Sequence, residues 1–297
     1  MSDRAQRPCM SSQAVARNAR SRLRPHERQR AASHCLQEDA KTVTTQYRGP
    51  SKACHSHTTQ RHPFSRCYHA CVPRTADTPL VLASASPRRR RLLAMLEIPY
   101  GCAAVLTDES LDSPLAEDPP ALATALASEK ARAARAAGAM GTVLAFDTIV
   151  VHGGRLLGKP LDLDDARRML HELSGSVHEV VTGVAVLGPD SSTAHVFAVT
   201  TPVRMRTLTA EQVEVWVARG ELLGCAGAYN IESHLAEVDL DQCFQNVAGL
   251  PLCHLYLALS RMQEALGIGQ PSMPVAPCDD ARGVKCALGP ALMATLD

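Results

Sequence analysis

Four consecutive arginines, Arg88 to Arg91, follow a Ser-Pro pair and precede an apolar run in the stretch LASASPRRRRLLAML, residues 82–96. Ser86 is a preferred N-cap and Pro87 a preferred first helical residue, so we expect a helix to begin here. The free N–H groups and partial positive charge of a helix N-terminus favour phosphate, and guanidinium groups bind phosphate in a bidentate manner. Arginines in the first turn oppose the helix dipole, and a bound polyphosphate would offset that cost.

We therefore assign Ser86, Arg88 and Arg89 to a phosphate site and interpret Arg90 and Arg91 as solvated surface. The alternative is that the whole run is an exposed, solvated helix face with no ligand, as most surface arginines are.

Asp147 interrupts an otherwise apolar strand, VLAFDTIVV. A carboxylate there is costly unless it is paired, solvated in a cleft or bound to a metal ion. Lone carboxylates at strand ends often serve catalysis in α/β folds. The alternative is an aspartate on the exposed face of an edge strand, and the sequence leaves both interpretations open.

Three further segments carry charge beside short turns or within helices. TDES supplies the paired acids Asp108 and Glu109, SEKA places Lys130 in an alanine-rich helix, and LLGKP holds Lys159 between a glycine and a proline. Two acids for a divalent cation and several cations for phosphates would suit attack on a nucleoside triphosphate. The chain has no G-x-x-x-x-G-K-[ST], G-x-G-x-x-G or G-x-S-x-G motif, which argues against P-loop, dinucleotide-binding and hydrolase-elbow sites.

Strands and helices alternate from Pro79 onward, which predicts an α/β domain. PLVLAS and TVLAFDTIVVHGG read as strands, while HEVVTGVAVLG and HVFAVTTPVRMRTL read as an antiparallel pair. Helices are predicted for PPALATALASEKARAARAAG, DLDDARRMLHELSG, TAEQVEVWVARG and residues 250–266.

The charge divides the chain at about residue 77. Residues 1–77 carry 14 Lys+Arg against 5 Asp+Glu, and the remaining residues carry 17 against 25. We predict a disordered basic extension over 1–77, a folded domain over 78–267 and a loose tail over 268–297. The extension could touch nucleic acid non-specifically, but we predict no specific nucleic-acid partner, and aromatics at 3% disfavour base-stacking platforms.

Membrane-spanning runs, secretory signals and cysteine usage indicate the cellular compartment of the protein. No apolar run is long enough to cross a bilayer, and no apolar segment of a secretory signal follows the basic N-terminus. The 11 cysteines are an odd number without regular spacing, which favours free thiols in a reducing compartment. We predict a cytoplasmic protein with no membrane partner.

The order of these motifs resembles the Maf-like nucleoside triphosphate pyrophosphatase family. The likeness runs over about residues 79–266 through LASASPRRRRLL, DES, SEKA, FDTIVV, LLGKP, MLHELSGSVHEVVTGVAV, GCAGAY and NVAGLPL. It implies a mixed sheet with flanking helices in two lobes around a cleft, similar to inosine-triphosphate pyrophosphatases. It also implies a hydrolase of acid anhydrides that uses Mg²⁺ or Mn²⁺ to convert a nucleoside triphosphate to the monophosphate and diphosphate. The resemblance further implies that the protein can form a homodimer.

The resemblance also assigns roles. It makes Asp147 the acceptor of the water proton and a metal ligand, and it gives Glu109 to the metal ion or to positioning the water. Lys130 and Lys159 would bind the triphosphate along with the arginines above. His178 and Thr182 would buttress the cleft, although a purely structural histidine is the alternative.

Base selectivity is where the sequence departs from its relatives. Arg88 and Thr148 match the branch that acts on dTTP and UTP, whereas Glu232 stands where that branch has glutamine and matches the 7-methyl-GTP branch. Cys225 replaces a lysine common in the dTTP/UTP branch. We favour dTTP or UTP, with 7-methyl-GTP or another modified nucleotide open. A catalytically weak, nucleotide-binding regulator of cell division and septum formation is the alternative function.

Overall fold

The computed structural model describes residues 79–107 and 109–295. The predicted basic extension over 1–77 and the candidate acid Asp108 lie outside the described residues. No helix in the described part is long and apolar enough to span a membrane.

Seven strands and eight helices make up the described part. In chain order they are β1 (Leu80–Leu82), α1 (Pro87–Ala94), β2 (Tyr100–Cys102), α2 (Pro119–Ala136), β3 (Thr142–His152), β4 (Arg155–Leu157), α3 (Leu163–Leu173), β5 (Val177–Leu187), β6 (His195–Met205), α4 (Ala210–Arg219), β7 (Ala236–Glu237), α5 (Phe244–Val247), α6 (Leu252–Leu266), α7 (Val275–Arg282) and α8 (Leu288–Met293). Three short 3-10 turns lie between α4 and β7, at Glu221–Gly224, Ala226–Ala228 and Ile231–Ser233.

Local sequence signals account for the helix boundaries. Ser86 caps α1 by accepting a hydrogen bond from the Arg89 N–H, and Thr209 and Gln212 form a reciprocal capping box at α4. Gly138 and Gly175 have positive φ just beyond α2 and α3, a conformation that glycine adopts without steric cost. These predicted helix starts and ends are confirmed.

The strands form one mixed sheet in the order β2-β1-β3-β5-β6-β7, with β4 folded back on β3. β1 pairs in parallel with β2 and β3, and the remaining pairs are antiparallel. The predicted mixed α/β sheet with flanking helices is confirmed. The β3–β4 hairpin was not predicted, because Arg155–Leu157 is too short to show an alternating pattern.

The edge of β3 that faces β1 is interrupted. β1 pairs with residues 142–144 of β3 and β4 with residues 150–152. Within the described residues, 145–149 therefore have a strand partner only on the β5 side. The end of β1 and the start of α1 lie at this interruption, and Asp147 lies at its centre.

Helix α2 covers one face of the sheet, and the other face packs against α1, α3 and α6. On the first face the small side chains of Ala127, Ala131 and Ala134 pack on Val143 and Ala145. The second face is a larger core that includes Leu144, Phe146, Leu92 and Leu170. Because side chains alternate along a strand, Asp147 shares the α2 face and Thr148 the opposite one.

Gly183 of β5 lies directly opposite Asp147 in the sheet. A Cβ at Gly183 would lie 2.2 Å from the backbone carbonyl of Ala123 in α2. The missing side chain therefore allows α2 to approach the sheet at van der Waals distance beside Asp147.

The C-terminal segment differs from the predicted loose tail. Helices α7 and α8 form within it, Cys278 is buried, and Ser272 donates its backbone N–H to Leu96 O at 2.9 Å. Buried apolar side chains such as Ile268 pack this segment against the domain. The sequence of the segment shows no helical periodicity, so the helices were not predicted.

Candidate active site

Lys130 joins the two candidate catalytic carboxylates. Its Nζ lies 2.5 Å from Asp147 Oδ1 and 2.7 Å from Glu109 Oε1. Asp147 is 5% exposed and Lys130 6% exposed, so the pair is almost completely removed from water. A buried charge requires such a partner, and Asp147 is therefore paired rather than solvated on an edge strand.

Glu109 also contacts Lys159, the last of the four predicted catalytic residues. Lys159 Nζ lies 2.6 Å from Glu109 Oε2. Burial alone would raise the pKa of the Glu109 carboxyl, but the hydrogen bonds from Lys130 and Lys159 outweigh this and lower the pKa from 4.5 to about 2. Glu109 is thus a carboxylate at neutral pH, and the four charged groups form one continuous chain.

The Lys130 ammonium lies where carboxylate oxygens from two separate segments converge. Hard oxygen donors suit Mg²⁺ or Mn²⁺, and Mg²⁺ commonly takes one or two carboxylates plus substrate phosphates. Among the described residues, no three His, Cys, Asp or Glu side chains form a metal site. The donor set therefore fits a metal ion that is completed by phosphate oxygens and water.

The first turn of α1 faces the same region. Arg89 Nε donates to Gly249 O at 2.8 Å, and its Nη2 donates to Thr148 Oγ1 at 2.9 Å. Burial lowers the pKa of the Arg89 guanidinium, and the nearby charges of Asp147 and Glu109 partly offset this effect. Arg89 is thus held by protein groups within electrostatic reach of the carboxylates.

Two of the other three arginines on this helix, Arg88 and Arg91, contact the segment that follows α4. Arg88 Nη1 lies 3.2 Å from Cys225 Sγ. Arg91 forms an ion pair with Glu232, and each side chain is 33% exposed. The interpretation of Arg91 as solvated surface was therefore wrong, because the run alone could not show that an acidic side chain 141 residues away meets it.

His178 and Thr182 extend from β5 into the core that supports these contacts. His178 is 2% exposed, and its Nε2 lies 2.7 Å from the Tyr229 hydroxyl. The Thr182 hydroxyl donates to Asn246 O at 3.0 Å. Both residues hold site-bearing segments in place, which agrees with a structural histidine.

We expect the free energy of unfolding to decrease as the pH falls from 6.5 to about 4. Burial, followed by the charge of His152, lowers the pKa of His178 from 6.5 to about 4. Between these values the unfolded chain takes up a proton that the folded chain does not, so stability is lost on acidification. A shift of this size corresponds to about 3 kcal/mol, measured by urea unfolding across this pH range.

His178→Gln should remove this part of the pH dependence, whereas the exposed His195→Gln should keep it. An unchanged pH profile in the His178 variant would show that another group is responsible.

Sequence reasoning missed two groups that support the site. Gly249 contributes a backbone carbonyl to Arg89. Asn246 is completely buried, and its Nδ2 lies within 3.1 Å of Val180 O, Val199 O and Thr201 Oγ1. The NVAGLPL motif contains both residues, but its letters do not reveal which strands they join.

Comparison with known proteins gives consistent results. The family model described as Maf-like protein matches residues 79–262. A dTTP/UTP pyrophosphatase of Moorella thermoacetica is 46% identical over 175 residues, which cover 58% of this chain and 89% of the relative. Proteins of the same name from Syntrophomonas wolfei and Salinibacter ruber are 40% and 38% identical; the alignments cover 61% of this chain in both cases and 95% and 89% of the relatives.

Proposed function

This chain belongs to the Maf-like protein family, and we propose that it hydrolyses dTTP or UTP to the nucleoside monophosphate and diphosphate. The relatives that are named dTTP/UTP pyrophosphatases support both the reaction and the substrates. The observation that carries the proposal is the buried Asp147 carboxylate, in contact with Lys130 and within reach of the charge of Arg89.

In the proposed reaction Asp147 accepts a proton from the water that attacks the α-phosphorus. A carboxylate can serve as a general base when it lies within hydrogen-bond reach of that water. Lys130, Lys159 and Arg89 would offset the negative charge that grows on the departing diphosphate. Ser86 caps α1 by accepting the Arg89 N–H, and the first turn of the helix would present its remaining N–H groups to the phosphates.

We propose that Glu109 and Asp147 hold a Mg²⁺ or Mn²⁺ ion that arrives with the nucleotide. Bound there, the ion would neutralise phosphate charge and orient the substrate. Lys130 would then move from bridging the two carboxylates toward the phosphates. Its flexible stem and three rotatable donors permit that exchange.

A diphosphate-release assay on the full chain tests the proposal. We expect release from UTP or dTTP in the presence of Mg²⁺ or Mn²⁺, with slower release from CTP and 7-methyl-GTP. If no canonical or methylated triphosphate releases diphosphate, the proposed activity is incorrect.

A nucleotide-binding regulator without turnover is the second candidate. Cys225, which contacts Arg88, offers a thiol in place of the ammonium of the lysine it replaces, and so provides less positive charge for phosphates. Nucleotide binding measured by calorimetry without any diphosphate release would favour this candidate over the enzyme.

We also propose that the protein acts in the cytoplasm as a homodimer, since the family resemblance implies both. Light scattering on the purified chain would measure the assembly state.

A further inference from the structure

The ion pair between Arg91 and Glu232 joins α1 to the 3-10 turn Ile231–Ser233. Arg88 and Arg91 are three residues apart on one helix, so they lie on the same face, and both contact the segment from Cys225 to Glu232. The Arg91 backbone therefore lies about 5 Å along the helix axis from that of Arg88, and further from the capped start of the helix. A nucleotide whose phosphates occupy that start would extend its base over a comparable distance.

The segment that carries Glu232 is firmly held. Its neighbours Tyr229 and Ile231 are buried, and the Tyr229 hydroxyl is hydrogen-bonded to His178. The Asn230 side chain accepts a hydrogen bond from the Glu232 N–H at 3.2 Å. The Glu232 side chain nevertheless keeps a third of its surface exposed. A fixed backbone thus presents a charged pair that a ligand can still reach.

The chemistry of the pair differs from that of a glutamate alone. An ionised carboxylate only accepts hydrogen bonds, and its two oxygens suit the adjacent N1–H and N2–H₂ donors of guanine. When a guanidinium occupies one oxygen, the pair offers an N–H donor beside an oxygen acceptor, as a carboxamide does. This arrangement matches a uracil or thymine edge, where a carbonyl oxygen lies next to N3–H.

The net charge of the Arg91–Glu232 pair also favours uracil and thymine over 7-methylguanine. The 7-methylguanine base carries a positive charge, which an unpaired carboxylate would attract. Arg91 makes the pair neutral overall, so this attraction is largely removed and a cationic base meets a guanidinium.

We propose that Arg91 is a specificity-determining residue that, by pairing with Glu232, makes the site favour uracil and thymine over 7-methylguanine. The proposal rests on the proposed function above. It reconciles glutamate at position 232 with the proposed preference for dTTP or UTP.

The test compares kcat/KM for UTP and 7-methyl-GTP in the full-length wild type, Arg91→Met and Arg90→Met. Arg90 is the matched control, because its side chain forms no ion pair among the described residues. We expect Arg91→Met to shift the UTP to 7-methyl-GTP ratio at least about tenfold toward 7-methyl-GTP, as loss of one good base contact would. Arg90→Met should leave the ratio within about twofold of the wild type, well below that effect.

A second variant separates specificity from folding. Glu232→Gln supplies donor and acceptor on its own, so it should restore the UTP preference to Arg91→Met, and the two changes should be strongly non-additive. A wild-type ratio in folded Arg91→Met would overturn the proposal. If the wild type hydrolyses no triphosphate, the proposed function fails independently of the role of Arg91. The ratio of the dissociation constants for UTP and 7-methyl-GTP is then compared between the wild type and Arg91→Met, and an unchanged ratio would overturn the proposal.

Discussion

Asp147→Asn should reduce diphosphate release from UTP by about a hundredfold to ten-thousandfold, the range that a general base contributes. An amide has the same shape as the carboxylate but cannot accept the water proton. Lys130 keeps its second partner, Glu109, at 2.7 Å, so the cations that bind phosphate remain in place. Single-turnover kinetics should show the loss in the chemical step. Calorimetry without a divalent ion should show nucleotide binding within about tenfold of the wild type, since Asp147 then has no metal ion to hold and acts only on water.

The matched control for Asp147 is Asp164→Asn on α3, which removes a carboxylate that is 91% exposed and paired with Arg167. It should leave turnover nearly unchanged, because exposed ion pairs contribute little. A folded Asp147→Asn variant with more than half of the wild-type rate would exclude this residue as the base.

Gly183→Ala should destabilise the domain by about 3 kcal/mol, at the upper end of typical overpacking costs. The new Cβ would lie 2.2 Å from the Ala123 carbonyl, and because both groups are backbone, α2 must move outward. That movement would draw Lys130 away from Asp147, so kcat should fall as well. Urea unfolding measures the first effect and UTP turnover the second.

Gly188→Ala is the control for Gly183→Ala, because its Cβ would meet only Leu266 and Ser191 side-chain atoms at 3.6 and 3.7 Å. Its cost should remain below about 1 kcal/mol, as for a surface change without a steric conflict. Equal stability of the two alanine variants would show that the close approach of α2 does not depend on Gly183.

Local patterns predicted much of this molecule. Ser86 and Pro87 marked the start of α1, and the position of a carboxylate within an apolar strand was enough to single out Asp147. Such features depend on neighbours within a few residues. The contacts of Arg91 with Glu232 and of Gly183 with α2 join distant segments, and no spacing in the sequence reports the distance between them.

The alternation along β3 restricts how this chain can change length. Asp147 meets Lys130 on one face, and Thr148 meets Arg89 on the other. Deleting or inserting one residue between Thr142 and Asp147 would exchange these faces for every later position, leaving the acid beside the wrong helix. The Gly153–Gly154 turn, where an added Cβ would meet nothing within 4 Å, is where length variation can be absorbed without disturbing the chemistry.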